Sequence, residues 1–151
     1  MARYLLLELN GTVARARLDD ERAPVTCRIL WDRVFPIEGD CLAARQSGTQ
    51  AGVLFDPGIT VPVENATCQL MKGDVVFIHY NARERHGNPA PVSEVVWCYD
   101  RYNGALAPGK QQPIVGNVFA EMLPGAEAFY AMTARTFDQG PMQVRITKEA
   151  E

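Results

Sequence analysis

Apolar and polar residues alternate in two short runs at the start of the chain, Tyr4 to Leu9 and Thr12 to Leu18. Between them Asn10-Gly11 tolerates the positive φ angles of a tight hairpin turn. In the second arm Val13, Arg15 and Arg17 fall on one face and Ala14, Ala16 and Leu18 on the other, the signature of a half-buried strand. The period then changes. Cys27, Leu30, Trp31 and Val34 recur at helical spacing behind Pro24, whose missing N–H has no partner to lose in a first helical turn. Asp19, Asp20 and Glu21 add negative charge ahead of that turn, where the helix dipole favours it. The spacing predicts a helix over 24–34, stopped by Pro36 and Gly39, with Leu30 and Trp31 in the core.

From Cys41 onward short runs return: Cys41 to Arg45, Ala51 to Phe55, Asp74 to Tyr80, Ser93 to Tyr99 and Gly116 to Met122. Gly48, Pro57-Gly58, Lys72-Gly73, Gly87 with Pro89 and Pro91, and Pro108-Gly109 punctuate them. A second helix is predicted over 125–137, where Ala126, Phe129, Tyr130, Thr133 and Phe137 share a face, and Gly140-Pro141 precedes a last strand from Met142 to Ile146. Strands and helices are segregated rather than alternating, which disfavours a parallel doubly wound sheet. The expected fold is mainly β: a closed, mostly antiparallel barrel of about eight strands with two covering helices, because closure removes exposed strand edges. Phe77, Val96 and Phe129 join Leu30 and Trp31 as expected core.

Composition narrows the classes. At 151 residues, 47% hydrophobic and 22% charged, the chain suits a single domain over 1–151 with one core. A net charge of −3 provides no basic field, and Arg83 with Arg85 is too small a patch for a phosphate backbone, so neither nucleic acid nor a membrane is expected as a partner. Glu8 interrupts the N-terminal leucines before an export signal could form, and no run reaches membrane-spanning length; a soluble, cytoplasmic protein is expected. Without an export signal, the glycosylation sequon Asn65-Ala66-Thr67 reads as chance. Cys27, Cys41, Cys68 and Cys98 are widely spaced and read as reduced structural thiols. His79 and His86 lack metal-ligand spacing, and no glycine-rich phosphate loop or nucleophile elbow is present, so neither metal nor cofactor is expected and no catalytic residue is assigned.

The order of hairpin, helix opening at Ala-Pro, strand with an arginine, further strands and a late helix resembles the cyclophilin fold. The chain is more closely similar to a bacterial family of uncharacterised cyclophilin-like proteins. That likeness is carried by LDDERAPVTC at Leu18 to Cys27, ARQSG at Ala44 to Gly48, VENATC at Val63 to Cys68, GDVVF at Gly73 to Phe77, SEVV at Ser93 to Val96 and GNVFA at Gly116 to Ala120. The resemblance implies a barrel with a groove. In cyclophilins an arginine on the strand after the first helix hydrogen-bonds the prolyl amide of the substrate, and Arg45 stands in that position. Gln50 and Val53 stand where cyclophilins carry a phenylalanine and a glutamine, and the Asn-Gly-Ser-Gln-Phe-Phe stretch is missing. Prolyl isomerisation is therefore the alternative reading rather than the first.

Candidate ligand-binding residues are Arg45, Glu64, Asn65, Tyr80, Glu94, Asn117 and Phe119. Arg45 offers a planar fork to a carboxylate or carbonyl, and otherwise is a surface arginine on an edge. Glu94 enters an apolar run and needs a partner if buried, for which Arg45 is a candidate; otherwise it is a solvated strand end. Glu64-Asn65 follows Pro62 between strands, where an Asx side chain commonly ties up turn backbone. Asn117 and Phe119 alternate onto one face that Glu121 would continue, with Phe119 either a pocket wall or plain core. Tyr80 carries an apolar body with a polar tip. The expectation is that Arg45, Glu94 and Asn117 line one cavity, with Tyr80 and Phe119 as walls and Glu64-Asn65 at its rim. Polar and turn-rich loops over 81–91 and 100–113 are candidates to frame it. The leading reading is a small-molecule pocket for a polar or carboxylate-bearing metabolite. A non-catalytic subunit of a homo- or hetero-oligomer stays open beside it.

Overall fold

The computed structural model describes residues 1–45, 47–55, 59–84, 88–103 and 115–150. Arg85, His86 and most of the loop expected over 100–113 lie outside the described residues. Asn10 and Gly11, with φ of 45° and 82°, turn β1 (Arg3–Leu9) into β2 (Thr12–Leu18), and the two pair antiparallel as the alternation predicts. Helix α1 (Pro24–Arg33) leads to β3 (Ile37–Ala43), β4 (Gly48–Phe55), the short β5 (Ala66–Thr67), β6 (Asp74–Tyr80), β7 (Val92–Asn103) and β8 (Gly116–Met122). Helix α2 (Glu127–Gln139) and β9 (Met142–Ala150) complete the chain.

The sheet runs β2-β1-β9-β3-β4-β7-β6-β8, and β2 also pairs with β8, which closes eight antiparallel strands into a barrel; β5 adds to β8 as a ninth. Inward residues from around the ring form one core: Leu5, Leu7 and Leu9 from β1, Val53 from β4, Val75 and Phe77 from β6, Val95 and Trp97 from β7, and Ile146 from β9. Helix α2 seals this core with Phe129, Thr133 and Thr136, and the Trp97 indole N–H donates to the Thr133 hydroxyl at 3.2 Å. Phe137, expected on the same face, sits off that stripe and is 41% exposed.

Three further local expectations are corrected. β3 opens at Ile37 rather than Cys41 and ends at Ala43, leaving Arg45 in the loop ahead of β4. Gly39 does not break the strand. It admits a close neighbour, since a Cβ there would stand 2.8 Å from a Val53 methyl. Trp31 is only partly buried, because the stripe of α1 turns away from the core at its end; Arg3 and Lys148 instead lie against its ring, 5.2 and 5.4 Å from the centroid. Glu121 does not share the face of Asn117 and Phe119. Val75 pairs with Ala120 but Val76 with Val118, so Phe119 is an extra residue in β8, and beyond this bulge Ala120 and Met122 turn inward while Glu121 is exposed.

Along β7 every residue from Val92 to Tyr99 is buried, on both faces. Val95, Trp97 and Tyr99 enter the barrel. Val92, Val96 and Cys98 point outward into a second apolar cluster with Leu70, Val76, Ile78 and Tyr80, flanked by partly buried Leu54 and Val118. This outer cluster lies on the β4–β7–β6–β8 wall.

Candidate functional site

The residues expected in one cavity occupy three places. The first is the outer wall. Glu94 alternates onto the same face as Val92 and Val96, is 5% exposed, and its Oε1 accepts a hydrogen bond from the Tyr80 hydroxyl at 3.0 Å. Glu94 sits between Leu54 of β4 and Ile78 of β6 in the ladder. Gly52 lies on the same face. A Cβ at Gly52 would stand 3.0 Å from Glu94 Oε2, 2.9 Å from the Val95 carbonyl oxygen and 3.0 Å from a Val96 methyl. The carboxylate therefore rests against bare β4 backbone on one side and the Tyr80 phenol on the other.

The second place is the N-terminus of α1. Ala23 at the cap offers no side-chain acceptor, leaving the first N–H groups to be met from elsewhere. Glu64 meets them: its carboxylate accepts from the backbone N–H groups of Val25 at 3.2 Å and Thr26 at 2.8 Å, and from the Thr26 hydroxyl at 2.7 Å. Burial pushes the Glu64 carboxyl up, but these three donors outweigh it and hold the group below its usual value. Asn117, 5% exposed, locks the arrangement from β8: its amide donates to the Thr26 hydroxyl and the Pro62 carbonyl, and its oxygen accepts from the Glu64 N–H. Asn65, at φ 46°, exchanges hydrogen bonds with Val118 through its side chain and its carbonyl. Glu64, Asn65 and Asn117 thus come together, as a brace between the segment before β5, α1 and β8. Phe119 stacks on Phe35 inside the core, with ring centroids 6.3 Å apart.

Arg45 stands alone in the third place. It is exposed, with its guanidinium 4.4 Å from the centre of the Phe137 ring. The β4–β7 ladder runs from Gly48 opposite Asn103, beside Arg45, to Leu54 opposite Glu94 near its far end, so Arg45 is not the counter-charge of Glu94. Thr26 and Gly52 are the residues sequence reasoning passed over. A glycine inside a strand pattern is the signal that could have pointed to Gly52.

Elsewhere, an open groove of about 650 Å³ is lined by Arg17, Asp19, Asp20, Arg22 and Glu121 among others, and contains none of the expected residues. Its charges are partly spent on Arg22–Asp19 and Arg3–Asp20 pairs. Burial pushes the thiols of Cys27, Cys41 and Cys98 up to about 12, which makes them poor nucleophiles. Among the described residues no three His, Cys, Asp or Glu side chains are grouped to hold a metal ion, and no helix is long and apolar enough to cross a membrane.

Solved structures share this architecture. McbB in complex with tryptophan superposes with a TM-score of 0.70 at 16% identity over 97% of this chain and 45% of McbB, so the chain spans about half of that protein's length. The Mimivirus cyclophilin gives a TM-score of 0.57 at 11% identity, covering 99% of this chain and 89% of its own. The hypothetical protein AF2241 from Archaeoglobus fulgidus gives 0.53 at 16% identity, covering 97% and 93%. At these identities the likeness is one of fold, and it is the cyclophilin-like barrel expected from the sequence. Comparison with curated proteins gave no match. A family model for a protein of unknown function, DUF3830, matches residues 5–148, and the chain accordingly belongs to the DUF3830 family.

Proposed function

We propose that the protein binds a small organic ligand on the outer face of the β4–β7–β6 wall, anchored by Glu94 and Tyr80 and cradled by the apolar side chains around them. One observation carries this reading: among the described residues, a carboxylate, 5% exposed, stands with the Tyr80 hydroxyl beside an outer cluster of apolar side chains, between Val92 and Val96. Withdrawing a carboxylate from water costs several kcal/mol. Its same-face neighbours are valines that pack without any such cost. Local choices that disagree with the surrounding pattern concentrate at functional sites, and an apolar surface with a few convergent polar groups is the usual composition of a ligand site. Leu54, the cross-strand partner of Glu94, is partly exposed and marks the side from which a ligand approaches.

Among the described residues Glu94 brings a charge to this site, while Arg45, the residue suited to a carboxylate-bearing metabolite, lies at the other end of the β4–β7 ladder. Because McbB, which shares the fold over this stretch, was solved with tryptophan, aromatic amines and amino acids head the compounds to test, ahead of carboxylates and amides. A ligand at a hundredfold its dissociation constant stabilises the fold by about 2.7 kcal/mol. For a chain of this size that raises the melting temperature by about 5–10 °C. Thermal-shift measurements across these compound classes should find at least one that does so in the wild type and not in Glu94→Gln. Silence from every class overturns the reading.

A further inference from the structure

Independently of the outer wall, we infer that residues 59–65 form a lid over the α1 end of the barrel, opening as one unit with the first turn of α1 when the Ser93 hydroxyl releases the Ile59 backbone. The segment runs from Ser93 on β7 to Asn117 and Val118 on β8, across β6, which lies between those strands in the sheet. Ile59 is buried in the core and Val61 packs against it, while Thr60, Pro62 and Val63 are exposed. Residues 59–64 adopt no regular secondary structure, and among the described residues none of their backbone groups bonds to another backbone group. Side chains hold them instead. The Ile59 N–H donates to Ser93 Oγ at 2.8 Å, the Pro62 carbonyl accepts from the Asn117 amide at 2.8 Å, and the Glu64 N–H donates to Asn117 Oδ1 at 3.2 Å. A segment fastened at so few points belongs to the low-stability end of a fold, where local opening occurs without global unfolding.

Two contacts extend the unit beyond the segment itself. At its far end the Glu64 carboxylate holds the Val25 and Thr26 N–H groups, so lifting the lid also uncaps α1. At its near end Ser93 stands directly opposite His79 in the β7–β6 ladder, on the inward face that continues from Val95 and Phe77. His79 Nδ1 is buried and has no hydrogen-bond partner, a costly state for a polar atom. Once Ile59 leaves, the Ser93 hydroxyl is free to turn to Nδ1, since a hydroxyl both donates and accepts. The open state thereby gains a bond that the closed state lacks, which offsets part of the loss of Ile59.

Native-state hydrogen exchange on the full chain, read residue by residue by NMR in low denaturant, tests the lid. In the wild type the amides of Val25, Thr26, Ile59 and Glu64 should share one opening free energy and one denaturant dependence, both below those of ladder amides in β4 and β7. Ser93→Ala should speed the exchange of all four about tenfold, the worth of one hydrogen bond, although the Ser93 hydroxyl bonds only Ile59 among them. Contacts that break independently would instead release Ile59 alone. His79→Phe should slow all four, because the open state no longer gains the bond to Ser93. If Ser93→Ala does not fold, the wild-type pattern and His79→Phe still decide. Four separate opening energies, opening only with global unfolding, acceleration confined to Ile59 in Ser93→Ala, or faster exchange in His79→Phe each overturns the inference.

Discussion

Glu64 and Thr26, 38 residues apart in the chain, are joined by two hydrogen bonds to one carboxylate oxygen: Glu64 Oε2 accepts the Thr26 N–H at 2.8 Å and its hydroxyl at 2.7 Å. Helix α1 is therefore capped from outside its own sequence, by a residue on the segment leading to β5.

Removing that cap should be costly in a pH-dependent way. Glu64→Ala is expected to lower stability by about 1–2 kcal/mol, the usual cost of losing an N-terminal cap. The folded carboxyl sits below its usual 4.5 because its three donors outweigh burial, so its contribution is complete above that value and is lost as pH falls through the lower, folded one. Urea denaturation should accordingly show a gap between wild type and Glu64→Gln at pH 7 that closes in acid. A gap that persists unchanged to about pH 3 would argue against the carboxylate as the stabilising group.

Asn117 makes three hydrogen bonds from a nearly buried position. Asn117→Ala should cost about 2–3 kcal/mol, because the Pro62 carbonyl and the Glu64 N–H each lose a partner in a confined space. Asn117→Asp keeps the acceptor for Glu64 N–H but sets a negative charge beside the Glu64 carboxylate, and should fare no better at pH 7. A melting temperature within 1 °C of wild type, about the error of the method, for both variants would show that water replaces these contacts freely.

Of the four thiols, Cys27, Cys41 and Cys98 are buried with values raised to about 12, while Cys68 is partly exposed. Titration of the native protein with a disulfide reagent near pH 8 should therefore modify Cys68 quickly, and the other three only after denaturant is added. Rapid modification of Cys98 in the native state would mean that the outer cluster opens readily.

Arg45→Ala should lose only the contact with Phe137, an exposed cation–π pair of about 0.5–1 kcal/mol. A compound that stabilises the wild type in the thermal-shift survey should stabilise this variant equally, in contrast to Glu94→Gln. A large loss in Arg45→Ala would return the ligand to the barrel end beside α2.

Local pattern made much of the barrel legible. Asp74–Tyr80 and Gly116–Met122 begin and end where their punctuating residues predict, and the Asn10-Gly11 turn forms as its φ preferences require. The errors arise where a partner strand sets the outcome. The bulge at Phe119 is invisible in β8 alone, because it exists only as a mismatch with Val75 and Val76. Gly39 reads as a breaker until the Val53 methyl that fills its place is known.

The same division holds for the candidate site. From the sequence alone came the closed antiparallel barrel, the two helices, and Glu94 as a carboxylate entering an apolar run, because those follow from period and residue type within a few positions. Only the tertiary structure decided that Glu94 faces outward toward Tyr80 and Gly52 rather than toward Arg45, and that Glu64 and Asn117 brace α1. In a strand, successive side chains point to opposite faces, and which face becomes the interior is settled only when β2 meets β8 and the ring closes.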